Sequence, residues 1–399
     1  MQLSSILSRF NESATLKMAK LVRELKAKGI NVIDLSLGEP DFNTPEHIKN
    51  AAKKAIDENW SHYTPVAGYA ELKEAICKKL LRDNALEYTP NQIVVSTGAK
   101  HSLANIIISI LDEGDEIIIP TPYWVTYSEL ARFARGTVVF VNTTPESGFK
   151  MTPEQLENAI TEKTKLFIFS SPCNPTGAVY TKDELEALAK VFEKHPNVFI
   201  ISDEIYEYIN YSYDGGNYES IAQFNSIKER VIVVNGLSKG FAMTGWRLGF
   251  IAAHPEIAKA CEKIQGQFTS GTNSIAQRAA ITAFDSPLTA TMDMVKQFTV
   301  RRDRIKELLK ELPDVKCVEP QGAFYIFPDV THYFGKKYGE YEITNSDDLC
   351  MYLLGEAHVS TVSGDAFGQP GFIRISFANS LENIEEAFKR MKEGLGKLV

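Results

Sequence analysis

The sequence predicts an α/β protein: a three-layer α/β/α large domain on a mainly parallel sheet of about seven strands, plus a smaller α+β domain formed by both chain ends. Three observations carry this reading. Between about residues 92 and 253, short apolar runs alternate with helical patterns. Those runs are continuously apolar, so both faces of the sheet are covered, as in parallel sheets sandwiched by helices. After about residue 285 the texture shifts to long charged helices and isolated strands. A chain of 399 residues is also longer than one core usually supports. We therefore place the large domain at 46–285 and the small domain at 1–45 and 286–399.

Taken in order, Met18, Leu21, Val22 and Leu25 predict an amphipathic helix over 14–28, stopped by Gly29. A strand over 32–37 runs into Gly38-Glu39-Pro40-Asp41-Phe42. Thr44-Pro45-Glu46 reads as a helix start: a capping hydroxyl, a proline in the first turn, then an acid. Ile48, Ala51, Ala52 and Ala55 form that helix's apolar face. The strand runs are 93–95, 116–119, 137–141, 166–169, 198–201, 231–234 and 248–251. A charged helix around 294–312 leads to Pro320-Gln321-Gly322-Ala323-Phe324, then a strand over 372–377. The final helix carries Ile384, Ala387, Phe388 and Met391 on one face. There is no internal repeat and no low-complexity linker.

Hydrophobic residues make up 44% and charged residues 24%, the balance of a soluble globular protein. The net charge of −8 leaves no electrostatic footprint for nucleic acid or an anionic membrane. Cys77, Cys173, Cys261, Cys317 and Cys350 show no pairing and no metal-ligand spacing, which suits a reducing compartment. Residues 1–10 lack the basic and apolar regions of a signal peptide, and no apolar run is long enough to span a bilayer. We expect a cytoplasmic protein.

In open α/β sheets, ligands bind at the carboxyl ends of strands, so the residues just after each run matter most. Ser96-Thr97-Gly98-Ala99-Lys100 precedes a helix; its exposed amides suit an anion, and equally a plain tight turn. Trp124, in Pro120-Thr121-Pro122-Tyr123-Trp124, suits a stacking plate or a core position. Asn174, in Cys173-Asn174-Pro175-Thr176-Gly177, is a hydrogen-bond donor or a turn residue, and its bond to Pro175 is a candidate cis peptide. Asp203, in Ser202-Asp203-Glu204-Ile205-Tyr206, is a buried acid needing a cation, or a helix cap. Gly236-Leu237-Ser238-Lys239 continues to Gly245-Trp246-Arg247; alone, such a loop lysine reads as a surface charge. Together these groups fit pyridoxal 5'-phosphate. Its aldehyde needs a lysine, its ring nitrogen a carboxylate, its phenolate oxygen donors, its phosphate amides and an arginine, and its ring a stacking partner.

With those motifs in place, the chain resembles the class I, fold type I, pyridoxal-phosphate aminotransferases, and among them the bacterial aspartate aminotransferase group. The likeness runs from Gly38-Glu39-Pro40-Asp41-Phe42 to Phe372-Ile373-Arg374-Ile375-Ser376. The resemblance implies that Lys239 holds the cofactor covalently and serves as the catalytic base, its amine kept uncharged with help from Arg247. It implies that Asp203 holds the proton on the ring nitrogen, that Asn174 and Tyr206 bond the phenolate oxygen, and that Trp124 stacks on the ring. Gly98, Ala99, Lys100, Ser238 and Arg247 would surround the phosphate, joined by Tyr63 from the other subunit of a homodimer. Arg374 would fork the substrate α-carboxylate, with the Gly38 backbone helping. One departure stands out: many relatives carry serine three residues before the lysine, where this chain has Gly236.

The implied reaction is amino transfer from L-aspartate to 2-oxoglutarate, ping-pong through the pyridoxamine form. Lys100, Ser13 and Thr15 match positions that hold the distal carboxylate in the group. Phe10, Asn11 and Glu12 replace the basic residue that prephenate-accepting relatives carry, which counts against prephenate. Aromatic amino acids are the second substrate class, and a carbon–sulfur lyase on the same scaffold is the second enzyme class. A regulator's effector domain lacks its DNA-binding module here, and no GxGxxG follows a strand to support a dinucleotide dehydrogenase.

Overall fold

The computed structural model describes residues 3–12, 14–213 and 215–399. Its centre is a seven-stranded sheet: β1 (Ile93–Ser96), β2 (Glu116–Thr121), β3 (Thr137–Asn142), β4 (Thr164–Ser170), β5 (Phe199–Asp203), β6 (Val231–Gly236) and β7 (Gly249–Ala252). The order across it is β1-β7-β6-β5-β4-β2-β3. Only β7 runs against the others, antiparallel to β1 and β6. The parallel register explains why the sequence runs are apolar throughout. Val94, Ile117, Ile168, Ile201 and Val234 face one core, while Val95, Ile118, Phe167, Ile200 and Val233 face the other. Successive side chains point to opposite faces and both faces are dry.

Residues from both chain ends share a separate core. Met18, Val22 and Val32 pack there with Phe298, Phe324, Ile375, Ile384 and Phe388. The first helix spans Ala14–Ala27 and the last Leu381–Leu395, close to the sequence expectation. A three-stranded antiparallel sheet joins Val362–Ser363, Ile373–Ser376 and Tyr325–Ile326. The long charged helix covers Thr289–Leu309, starting five residues before the expected point.

Two local expectations are corrected. The strand expected over 32–37 is only Ile33–Asp34, paired in parallel with Val359–Ser360. Beyond it the Asp34 carboxylate accepts from the Ser36 amide at 2.9 Å and the Ser36 hydroxyl at 2.6 Å, which bends the chain out of the ladder. Thr44 does not cap the helix Glu46–Asp57, whose N-cap is Pro45 with no side-chain cap. Its hydroxyl instead donates to the Ala242 carbonyl at 2.8 Å and accepts from Trp246 Nε1 at 3.0 Å. Thr44 thereby ties the N-terminal segment to the loop that carries Lys239.

Gly236 has a packing reason. It pairs with Gly249 across β6 and β7, and a Cβ there would stand 2.8 Å from both Gly249 Cα and the Leu248 carbonyl oxygen. Gly249 in turn leaves room for the β1 turn, since its own Cβ would lie 2.3 Å from the Ala99 amide nitrogen. Gly236→Ser should therefore lower stability by about 1–3 kcal/mol through backbone displacement. Denaturant melts of the cofactor-free protein would measure it; an unchanged midpoint would contradict the close approach.

Candidate active site

The carboxyl ends of β1, β4, β5 and β6 surround a cavity of about 370 Å³, within the usual range for small-molecule sites. It gathers Thr15, Gly38, Ala99, Lys100, Trp124, Asn174, Asp203, Tyr206, Ser238, Lys239, Arg247 and Arg374. Those residues span nearly the whole chain; most fall in the stretches the strand-end reading picks out, while Thr15, Gly38 and Arg374 are implied by the resemblance alone. Gly98 stands just behind the wall. Its φ of +83° favours glycine, and a Cβ there would sit 2.5 Å from Arg247 Nη2 and displace that guanidinium. Tyr63 does not line its own chain's cavity and is 99% exposed. Ser13 lies outside the described residues.

Lys239 is not a solvent lysine. Its ammonium donates to the Gly38 carbonyl and lies over the Tyr206 ring at 5.5 Å. Burial lowers its pKa to about 8, with Arg374 and Arg247 pushing the same way and Glu39 opposing them. Desolvation is thus the main cause, ahead of the arginine emphasised by the resemblance.

Asp203 ends β5, where burial pushes its pKa up to about 6. No helix follows it to cap. Its Oδ2 accepts from the Tyr127 hydroxyl at 2.6 Å and its Oδ1 from the Ile205 amide at 3.3 Å. A carboxylate so placed is stabilised by a cationic partner.

Arg374 is 1% exposed and far from the solvated face open to a strand arginine. Nη1 donates to Asn174 Oδ1 at 2.9 Å and Nη2 to the Ser36 carbonyl at 2.6 Å. Its guanidinium stacks over Tyr325 at 4.5 Å, and Nε has no partner among the described residues. Both acceptors are neutral, so the buried charge has no hydrogen-bonded counter-ion and is suited to receive an anion. Asn174 accepts from Arg374 through its oxygen, which leaves its amide nitrogen to donate into the cavity. The bond between Asn174 and Pro175 is cis, as are those preceding Pro122 and Pro172.

The helix Ala99–Ile110 begins beside Arg247 with no side-chain cap, and its first two residues, Ala99 and Lys100, line the cavity. Arg247 has a left-handed backbone (φ +55°) and donates to the Thr244 carbonyl at 2.9 Å. Lys100 places its ammonium 5.0 Å from the Trp124 ring centroid, and burial lowers its pKa. Four cations line the cavity against two acids, Asp203 and Glu39. The site is built for a ligand with several negative charges and one buried cationic atom.

Sequence reasoning missed four residues here. Tyr127 braces Asp203, and Tyr325 bonds the Tyr206 hydroxyl at 2.8 Å. Glu39 and Thr244 meet at 2.5 Å on the cavity wall. Glu39 lies inside the Gly38–Phe42 motif; the others give no signal, since their partners are distant in sequence. No cluster that could hold a metal ion occurs among the described residues, and no described helix is long and apolar enough to cross a membrane.

Burial of Asp203 carries a stability cost with a defined pH window. The folded protein holds a proton on this group up to about pH 6, while an unfolded chain releases it near 3.8. Stability therefore falls as pH rises through that window, by an amount on the order of 3 kcal/mol above it. Asp203→Asn should make the cofactor-free protein at least as stable as the wild type at pH 7, with the difference closing in acid. Thermal melts across pH would check this; a less stable variant at pH 7 would overturn it.

The family model "Aminotransferase class I and II" matches residues 30–391. An aspartate aminotransferase of Bacillus subtilis is 44% identical, with all of both chains covered. An aspartate/prephenate aminotransferase of Cereibacter sphaeroides is 45% identical over 98% of each chain. The crystal structure of the aspartate aminotransferase from Rhizobium meliloti superposes with a TM-score of 0.95 at 40% identity, covering 100% of both chains.

Proposed function

The chain belongs to the class I and II aminotransferases, which use pyridoxal 5'-phosphate, and from that premise we propose that it transfers the amino group of L-aspartate to 2-oxoglutarate. The observation that carries the substrate is the cavity's charge. Arg374 demands one carboxylate, and Lys100, which lines the same cavity as Thr15, offers a second cation. A dicarboxylate answers both. The naming of relatives for aspartate supports the same reading.

The donor set fits the cofactor. The uncapped helix start at Ala99, with Arg247 and Ser238, would hold its phosphate. Asp203 would hold the proton on its ring nitrogen, with Tyr127 fixing that carboxylate. Asn174 and Tyr206 would donate to its phenolate oxygen, and Trp124 would cover its ring. When bound, the cofactor supplies an aldehyde that joins amines and a ring that withdraws electrons from them.

The chain's own residues then divide the work. Arg374 grips the α-carboxylate as a bidentate fork and fixes which substrate bond faces Lys239. Lys239, whose depressed pKa of about 8 eases the loss of its proton, takes the proton from the substrate Cα and returns it as an acid. Lys100 and Thr15 receive the distal carboxylate. Residues 1–45 and 286–399 form the smaller unit that closes over the substrate and excludes water.

We also place the active unit as a homodimer. An aromatic ring as exposed as Tyr63 suits burial against a second copy, where it would reach the neighbouring phosphate. Five free thiols suit a reducing cytoplasm. The prephenate alternative keeps support from relatives named for prephenate. Against prephenate stand Phe10, Asn11 and Glu12, none of them basic, in the stretch just before Ser13.

L-Aspartate alone should convert the holoenzyme's cofactor stoichiometrically to its amine form, then stop until a 2-oxo acid is added. Continuous release of pyruvate or ammonia would point to a lyase instead. Lys239→Ala should lose both the visible band of the bound cofactor and turnover, and retained turnover would refute the assignment. Lys100→Ala should cut kcat/KM at least tenfold for dicarboxylates while sparing aromatic amino acids, an effect of about 1.4 kcal/mol or more. Equal losses on both classes would remove the substrate argument.

A further inference from the structure

Asn174 and Tyr206, the two donors proposed for the phenolate oxygen, both lead back to Arg374. Asn174 does so directly, accepting from Arg374 Nη1 at 2.9 Å. Tyr206 does so through Tyr325, a cavity residue that the cofactor chemistry leaves unused. The Tyr206 and Tyr325 hydroxyls lie 2.8 Å apart, and the Tyr325 ring stacks on the Arg374 guanidinium at 4.5 Å. Strand register explains the stacking. Tyr325 sits opposite Ser376 in an antiparallel pair, so Arg374, two residues from Ser376, is its diagonal neighbour on the same face. Tyr206 comes from the turn after β5, so the hydroxyl pair joins the three-stranded sheet to the seven-stranded one.

We propose that Tyr325 is a positioning residue for cofactor and substrate together: its hydroxyl donates to Tyr206, which frees the Tyr206 proton for the phenolate oxygen, and its ring sets the plane in which Arg374 forks the carboxylate. Two phenols in contact share one hydrogen bond, and the acceptor keeps its own proton for a third partner. Position decides which phenol accepts. A Cβ at Gly38 would stand 2.5 Å from the Tyr325 oxygen, so that hydroxyl fills the space Gly38 leaves, and Tyr206 is its hydrogen-bond partner. The Tyr206 ring lies 5.5 Å from the Lys239 ammonium, on the side where the cofactor would be joined. A phenol that accepts one hydrogen bond donates its own more strongly.

The surroundings leave the pair to this task. Both phenols are buried, and burial raises the pKa of each, so both stay neutral donors at neutral pH. The charged groups around them have other partners. Asp203 accepts from Tyr127, Lys239 donates to the Gly38 carbonyl, and Arg374 donates to Asn174 and Ser36. Phe324 packs edge-on against the Tyr206 ring at 5.4 Å and fixes its tilt. Arg374 has a second ring, Phe367, at 5.0 Å, so the planar guanidinium is held by aromatic faces while its hydrogen bonds set its direction.

The inference rests on the aminotransferase reading in naming the phenolate oxygen, so one arm of the test omits the cofactor. In cofactor-free protein carrying ring-labelled tyrosine, Tyr325→Phe should move the NMR signal of the Tyr206 hydroxyl-bearing carbon, identified by its loss in Tyr206→Phe. In the holoenzyme, Tyr325→Phe should raise the pH midpoint of the visible band by roughly half a unit, because weaker donation to the phenolate oxygen favours the protonated chromophore. Tyr206→Phe should raise it further, and the double variant should match Tyr206→Phe alone, since the Tyr325 hydroxyl acts only through Tyr206. Tyr325→Leu, which also removes the ring, should weaken binding of the unreactive dicarboxylate succinate about tenfold more than Tyr325→Phe does. An unmoved midpoint in Tyr325→Phe, or additive shifts in the double variant, would overturn the hydroxyl's role. Equal succinate affinities in Tyr325→Phe and Tyr325→Leu would overturn the ring's role, and Tyr325→Met gives the same comparison if Tyr325→Leu fails to fold. A wild-type protein that takes up no cofactor would discard the aminotransferase reading; the Tyr206 signal then decides alone, moved in favour of the Tyr325 hydroxyl's donation and unmoved against it.

Discussion

A guanidinium buried without a carboxylate is the constraint on which the rest of the site depends. Arg374 comes from a strand whose neighbours belong to the core shared by both chain ends, yet its hydrogen bonds reach Asn174, beyond β4, and Ser36, after the first short strand. Three distant segments are thereby fixed about one positive group. Because the partners are neutral, the charge stays available to a ligand. The Tyr325 and Phe367 rings pack against it and keep water from screening it.

The acids of the turn after β5 show how one short stretch serves two environments. Asp203 and Tyr206 face the cavity. Glu204 and Glu207 face away into a sealed polar cluster, where Glu207 pairs with Lys79 at 2.5 Å and Glu204 accepts from Ser202 and Ser220. Asn84 donates to Glu207, and Tyr208 donates to Asp83. The turn is pinned from behind by these bonds, so its cavity face presents Asp203 and Tyr206 in fixed positions.

Much of this is legible in the sequence because parallel sheets write themselves as uninterrupted apolar runs and put their chemistry just after them. Lys239, Asp203, Asn174, Arg247 and Trp124 all come shortly after such runs, and all line the cavity. The illegible part consists of pairings between distant segments. Tyr127 sits inside an ordinary amphipathic helix and becomes a brace only because β2 and β5 lie close in the fold. Thr44 has the local chemistry of a cap, but the Ala242 carbonyl and the Trp246 indole, about two hundred residues away, compete for it and win. Gly236 reads in isolation as a missing hydroxyl; the glycine facing it across the ladder is what explains it.

The facing glycines of β6 and β7, and the turn they press against, divide the site into unequal parts for descent with modification. Between these two strands there is no room for a methyl group, so side-chain replacement there is closed to selection without moving backbone. At the rim, Lys100 and Thr15 project from a helix start and an N-terminal helix, where an exchange alters length or charge while the sheet stays put. Lineages built on this frame can therefore drift in the side chains they accept at the open end while remaining locked at the closed one.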